Sequence, residues 1–234
     1  MSAGTFTSTG SRNRARQAAT LDRLAGTGGL VFAAILVVQN IIRAGAPGFD
    51  AAPAQISAYF LDHRAAALVP LGLFPVGLLA LFPFAAGVRA RARQEESRWW
   101  ASVGVLGAAT IAALFAVVNI IEIVLTAKAA QLASSPALVQ ALWTLHAAAF
   151  GLDLAAIAVA LIGLSRAAAS VPLIPGWLAA AALPGAACLL TAAIFTVALA
   201  DGGPWLALGL AGFIVWLVFA ITASVSLLRG RQIP

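Results

Sequence analysis

The chain has 234 residues, of which 62% are hydrophobic and only 9% charged. A soluble domain carries about 25% charged residues, so this composition excludes an ordinary water-soluble fold. The net charge of +6 invites a nucleic-acid reading, but the cations cluster at the ends of apolar runs, where they set membrane topology.

Six apolar stretches follow one another: Leu24–Ile42, Ala65–Val88, Trp99–Ala127, Ala137–Leu164, Trp177–Ala200 and Trp205–Leu228. Each is about 19 residues or longer, enough for a helix rising about 1.5 Å per residue to cross a hydrocarbon core about 30 Å thick. The expected fold is an all-α bundle of six transmembrane helices over residues 21–228. Residues 1–20 are rich in Ser, Thr, Gly and Arg, have little apolar surface to bury, and are expected to form a disordered tail. Residues 229–234 make a short second tail. Arg43 follows the first run with no small-residue cleavage site before it, so span one reads as an uncleaved helix rather than a signal peptide.

The distribution of cations orients the bundle. Arg12, Arg14, Arg16 and Arg23 precede span one, and Arg89, Arg91, Arg93 and Arg98 join spans two and three. Arg166 lies between spans four and five, and Arg229 and Arg231 follow span six. An even number of spans puts these eleven on one side, against three, Arg43, Arg64 and Lys128, on the other. The positive-inside rule places both termini in the cytoplasm. The Ala-, Leu- and Arg-rich, Lys-poor composition suggests a bacterium, and hence its plasma (inner) membrane.

The first loop carries its own signal. Ile56, Tyr59, Phe60 and His63 recur at helical spacing, and Pro53 suits a first helical turn, so an amphipathic helix is predicted on the outer face. Pro70, Pro75 and Pro83 in span two and Pro184 in span five each remove a backbone hydrogen bond and predict kinks. Trp99, Trp100, Trp177 and Trp205 sit at span ends, as interfacial belts do, while Trp143 and Trp216 lie deeper.

Ionisable residues inside spans are costly and mark candidate sites. In span three, Phe115, Asn119, Glu122 and Thr126 share a helical face; in span four, Trp143, His146, Phe150 and Asp153 do. Span one ends with Gln39, Asn40 and Arg43. At about 1.5 Å per residue, Glu122 lies roughly 8 Å below the end of its helix, and Asn119 and His146 lie roughly 12–13 Å below theirs. Asp153 lies about 10 Å deeper than His146. Asn40, Arg43, Asn119, Glu122 and His146 are thus expected to converge in the outer half, leaving Asp153 an isolated deep carboxyl.

Three readings compete. Arg43–Glu122 and His146–Asn119 clamp helices together; or the cluster, with Trp143, Phe150 and Trp216 as apolar wall, binds a lipid or lipophilic small molecule; or Glu122, His146 and Asp153 exchange protons in a transporter or an intramembrane isomerase or cyclase. The leading expectation is a non-enzymatic protein whose outward-facing pocket is formed by Asn40, Arg43, Asn119, Glu122, Trp143, His146, Phe150, Asp153 and Trp216. Membrane lipids are its expected surroundings. With one Cys and two His, and no phosphate loop or hydrolase motif, neither a metal nor a cofactor nor nucleic acid is expected.

Four segments carry a resemblance: Leu21-Asp22-Arg23-Leu24-Ala25-Gly26, Tyr59-Phe60-Leu61-Asp62-His63, Leu142-Trp143-Thr144-Leu145-His146 and Leu173-Ile174-Pro175-Gly176-Trp177-Leu178. In these the chain, over about Leu21–Leu228, is similar to an uncharacterised bacterial family of six-span membrane proteins, known as a domain of unknown function. The resemblance implies the six-span fold and no particular activity. Membrane-embedded terpene and carotenoid cyclases are comparable in size, but their P-x-E-E type of motif is missing here.

Overall fold

The computed structural model describes residues 8–230. These residues form helices α1 (Ser8–Arg43), α2 (Pro53–Asp62), α3 (Arg64–Arg91), α4 (Glu95–Ala127), α5 (Ala129–Leu132), α6 (Pro136–Ser170), α7 (Gly176–Ile194), α8 (Thr196–Ala200) and α9 (Trp205–Arg229). Six of them, α1, α3, α4, α6, α7 and α9, are long and apolar enough to cross a membrane. The chain is a multi-pass membrane protein built as an all-α bundle.

α6 is the central helix. Of its most apolar window 67% is buried, against 33% for α3 and α9. It packs along α4 and α7, and also meets α2, α3, α8 and α9. The α4–α6 seam is made of small residues. A Cβ on Gly107 would sit 2.5 Å from the Ala160 nitrogen, and one on Gly163 would sit 2.6 Å from the Gly104 Cα. Backbones can approach that closely only without side chains between them. On the same end of the bundle, a Cβ on Gly26 of α1 would lie 2.7 Å from the Ser224 carbonyl oxygen of α9. The Arg91 guanidinium grips the Asp22 carboxylate with two hydrogen bonds and ties α1 to α3 there.

Several expectations change in detail. Helix α1 reaches back to Ser8, so residues 8–20, expected to be disordered, are helical; residues 1–7 lie outside the described residues. The nucleus of a long membrane helix already exists at Leu24, and extending it upstream adds a hydrogen bond for each residue fixed. At the other end α9 runs through Arg229 and stops at Gly230 with φ 59°, the left-handed cap that glycine adopts without strain. Pro70, Pro75 and Pro83 lie inside the single helix α3, and Pro184 inside α7, so the prolines interrupt neither element. Span five does not continue to Ala200 as one helix. It breaks at Phe195, where the Thr196 hydroxyl bonds the Ala193 carbonyl at 2.5 Å, a side-chain competitor for helical hydrogen bonding. α8 then turns against α6, with Thr196 packed on Gly151.

The amphipathic helix of the first loop forms as α2, with Pro53 in its first turn. It caps one end of the bundle, burying Ile56 and Phe60 against Val139 and Trp143. Trp99 and Trp177 are exposed at helix ends, whereas Trp143 and Trp216 are buried.

Candidate functional site

At the end of the bundle capped by α2, the helices enclose a cavity of about 490 Å³. Its walls come from α1, α3, α4, α6 and α9, and its roof from the loop that follows α1, residues 44–49. The roof is pinned in two ways. The Trp143 indole N–H donates to the Gly48 carbonyl at 3.0 Å, and Phe49 packs its ring 5.5 Å from that of Phe150 and 6.0 Å from that of His146.

Beneath the roof Arg43, Glu122 and His146 form a polar triad, with Glu122 and His146 buried and Arg43 partly exposed. Arg43 Nε and Nη2 donate to Glu122 Oε1 and Oε2 at 3.0 and 2.7 Å, the bidentate geometry that suits guanidinium and carboxylate. His146 Nε2 lies 3.1 Å from Glu122 Oε1. The imidazole is stacked on Trp143, with centroids 4.5 Å apart and planes 4° from parallel. The Arg43 guanidinium lies 5.4 Å from the Phe115 ring centre. Helical spacing explains the arrangement: Trp143 and His146 are three apart on α6, and Phe115 and Glu122 are seven apart on α4, so each pair faces the same neighbour. Burial pushes the nearby Tyr59 hydroxyl above its ordinary pKa; the Glu122 charge adds to the shift and the Arg43 charge opposes it.

Eight of the nine residues singled out from the sequence line this cavity: Asn40, Arg43, Glu122, Trp143, His146, Phe150, Asp153 and Trp216. Asn119 does not. Its amide donates to its own helix, to the Phe115 carbonyl at 2.7 Å, and the expected His146–Asn119 clamp is replaced by His146–Glu122. An asparagine can reach the carbonyl one turn back, while the carboxylate is the stronger partner for the imidazole. Asp153 shares the cavity wall with the polar cluster rather than standing apart from it. It is 4% exposed, and among the described residues its Oδ1 has no hydrogen-bond partner. His146 Nδ1 is likewise buried without a partner.

Gln39 and Phe49 were not expected as lining residues, yet both line the cavity. Gln39 is 1% exposed and donates to the Pro70 carbonyl at 2.7 Å, fixing α1 against α3. Its place in the apolar run of span one, four residues before Arg43, was the available signal. Phe49 sits in a loop without periodicity, and nothing local marked it. Deeper in, Phe32 and Trp216 meet edge to face at 6.3 Å and help to form the floor.

One wall differs from the rest. Leu206 and Leu210 of α9 line the cavity while 45% and 53% exposed. Asn40 of α1 also lines it and is exposed. Between the capped ends of α1 and α9 the cavity therefore reaches the surface of the bundle. Comparisons with protein-family models, with curated proteins and with solved structures returned no match.

Proposed function

We propose that this protein binds a lipid or lipophilic small molecule in the cavity under the α2 cap. The proposal places the protein in a bacterial plasma membrane with its termini in the cytoplasm, so that the cavity occupies the outer half of the bilayer. The observation that carries the reading is the cavity itself: about 490 Å³, within the range of about 300–1,000 Å³ typical of ligand pockets. It is mostly apolar and aromatic, it has a few convergent polar groups, and one wall lies open between α1 and α9. An amphiphile enters sideways from the outer leaflet, its apolar body against Phe150, Phe213 and Trp216 and its polar part toward the triad. Storage is favoured over transport because the lining stops at Phe32, Leu81 and Trp216, below which Phe84 and Phe219 are fully buried.

The test is extraction of the purified protein followed by mass spectrometry, comparing the wild type with Leu210→Trp, a bulky change at the exposed opening. A hydrophobic compound near one per chain in the wild type and depleted in the variant supports the reading. Equal, substoichiometric lipid in both rejects it. Orientation is tested by impermeant thiol labelling of intact cells, with single cysteines at exposed Ala58 and Gln94 in a Cys188→Ala background. Labelling at 58 alone is expected.

One observation favours a second reading, an intramembrane isomerase or cyclase: an unpartnered carboxyl, Asp153, on an aromatic-lined wall is also what an acid catalyst requires. In that case Asp153→Asn would retain a bound compound different from the one in the wild type.

A further inference from the structure

The cavity wall carries two carboxyl groups, Glu122 and Asp153, and one guanidinium, Arg43. The guanidinium is committed: both of its hydrogen bonds into the wall go to Glu122. Glu122 also accepts from His146 Nε2–H at 3.1 Å. Two buried atoms of lining residues lack partners among the described residues, Asp153 Oδ1 and His146 Nδ1. They lie on one face of α6, seven residues and about 10 Å of helix apart. A buried acceptor without a donor is costly, and a carboxylate charge formed there would be costlier still without a cation beside it. Among the described residues no group donates to Asp153, which nonetheless lies on the wall of a ligand-sized cavity. The surrounding lining includes Phe150, Phe213 and Trp216, whose ring faces attract cations.

We infer that the ligand is a lipophilic amine, whose ammonium N–H groups donate to Asp153 while its apolar body fills the aromatic part of the cavity. This rests on the ligand-binding reading above and specifies its ligand class. A donor-bearing cation satisfies the orphaned carboxyl and balances the surplus acid at once. A neutral lipid tail does neither, and an anionic headgroup supplies no cation to Asp153.

The experiment uses the full chain in phosphatidylcholine nanodiscs, with empty nanodiscs subtracted. The probes are decylamine and decanol, which share one apolar chain and differ in the polar end. The wild type is expected to bind decylamine saturably and at least about tenfold tighter than decanol, the scale of a hydrogen bond to a charged group. Asp153→Asn is expected to bring the amine to within about threefold of the alcohol while leaving decanol binding in place. Equal affinity of the two probes for the wild type overturns the amine inference but leaves the lipophile-binding reading standing. Saturable binding of neither probe overturns both. Retention of the amine preference in Asp153→Asn removes Asp153 as the recognition group. Should that variant fail to fold, the wild-type comparison decides the ligand class alone.

Discussion

The two ends of this bundle are packed by opposite rules. Toward the chain termini, glycine and alanine let backbones touch: Gly104 and Gly107 of α4 lie against Gly163, Leu164 and Ala160 of α6, and Gly26 of α1 lies against Ser224 of α9. Toward the α2 cap the same helices carry Phe115, Glu122, Trp143, His146 and Phe150, and they enclose a cavity. In a membrane, lipid tails are as apolar as leucine, so helices gain little by hiding leucine from them; close packing and interhelical hydrogen bonds hold them together. The terminal end relies mainly on the first device, with the Arg91–Asp22 pair beside it, and the capped end relies on the second. A bundle fastened tightly at one end can hold a space open at the other.

The largest expected effect tests the tight end. A Cβ on Gly163 would sit 2.6 Å from the Gly104 Cα, and backbone cannot yield as a side-chain tip can. Gly163→Ala is expected to cost about 3 kcal/mol or more, read as a lower midpoint of thermal unfolding in detergent. Gly77→Ala is the matched change at the cavity, where the nearest atom to the new Cβ is Ile35 Cγ2 at 3.4 Å. It is expected to be neutral or stabilising by up to about 1 kcal/mol, since alanine is the better helix former. Equal losses at the two sites would erase the contrast between the ends.

The next effect belongs to the polar fastening. Glu122→Ala leaves Arg43 and His146 without their shared partner. Removing one member of a buried pair costs about 3–5 kcal/mol, and the Arg43 side chain, 22% exposed, recovers part of that through water. A loss of about 2–3 kcal/mol is expected, with Glu122→Gln losing less and Ile120→Ala, at a 59% exposed position, losing little. Trp143→Phe keeps most of the ring and deletes the N–H donated to Gly48. It is expected to cost about 1 kcal/mol and to speed proteolysis or hydrogen exchange in the roof, residues 44–49.

The sequence spoke clearly about what apolar length and periodicity can carry. The six spans follow from the length of the apolar runs, and α2 with its buried Ile56 and Phe60 and the α4 and α6 faces bearing Glu122 and His146 follow from helical spacing. What it withheld depends on rotation and contact. Asn119 and Glu122 share a face by spacing, yet only Glu122 reaches Arg43 and the cavity, because a side chain's partner depends on its reach and on the neighbouring helix. The break at Phe195 hinges on where Thr196 meets Gly151, a tertiary fact. Phe49 lies in an aperiodic loop, and its role appears only when the chain folds back over α6.

The smallest expected effect is also informative. Asp153 has no partner to lose, so Asp153→Asn is expected to change stability by less than about 1 kcal/mol. A large loss would show that Asp153 holds the bundle together and is not held in reserve for a ligand.

The central claim, that the capped half of this bundle opens to lipid and holds a lipophilic molecule, is tested most directly by photocrosslinking in membranes with a diazirine-bearing alkyl amphiphile, followed by peptide mapping. Adducts concentrated on the cavity segments, Leu206 to Trp216 of α9 and Trp143 to Ile157 of α6, and competed away by unlabelled amphiphile, are the predicted result. Non-competable labelling spread evenly over lipid-facing positions such as Leu79, Ile194 and Val197, exposed by 74%, 72% and 79%, would contradict it.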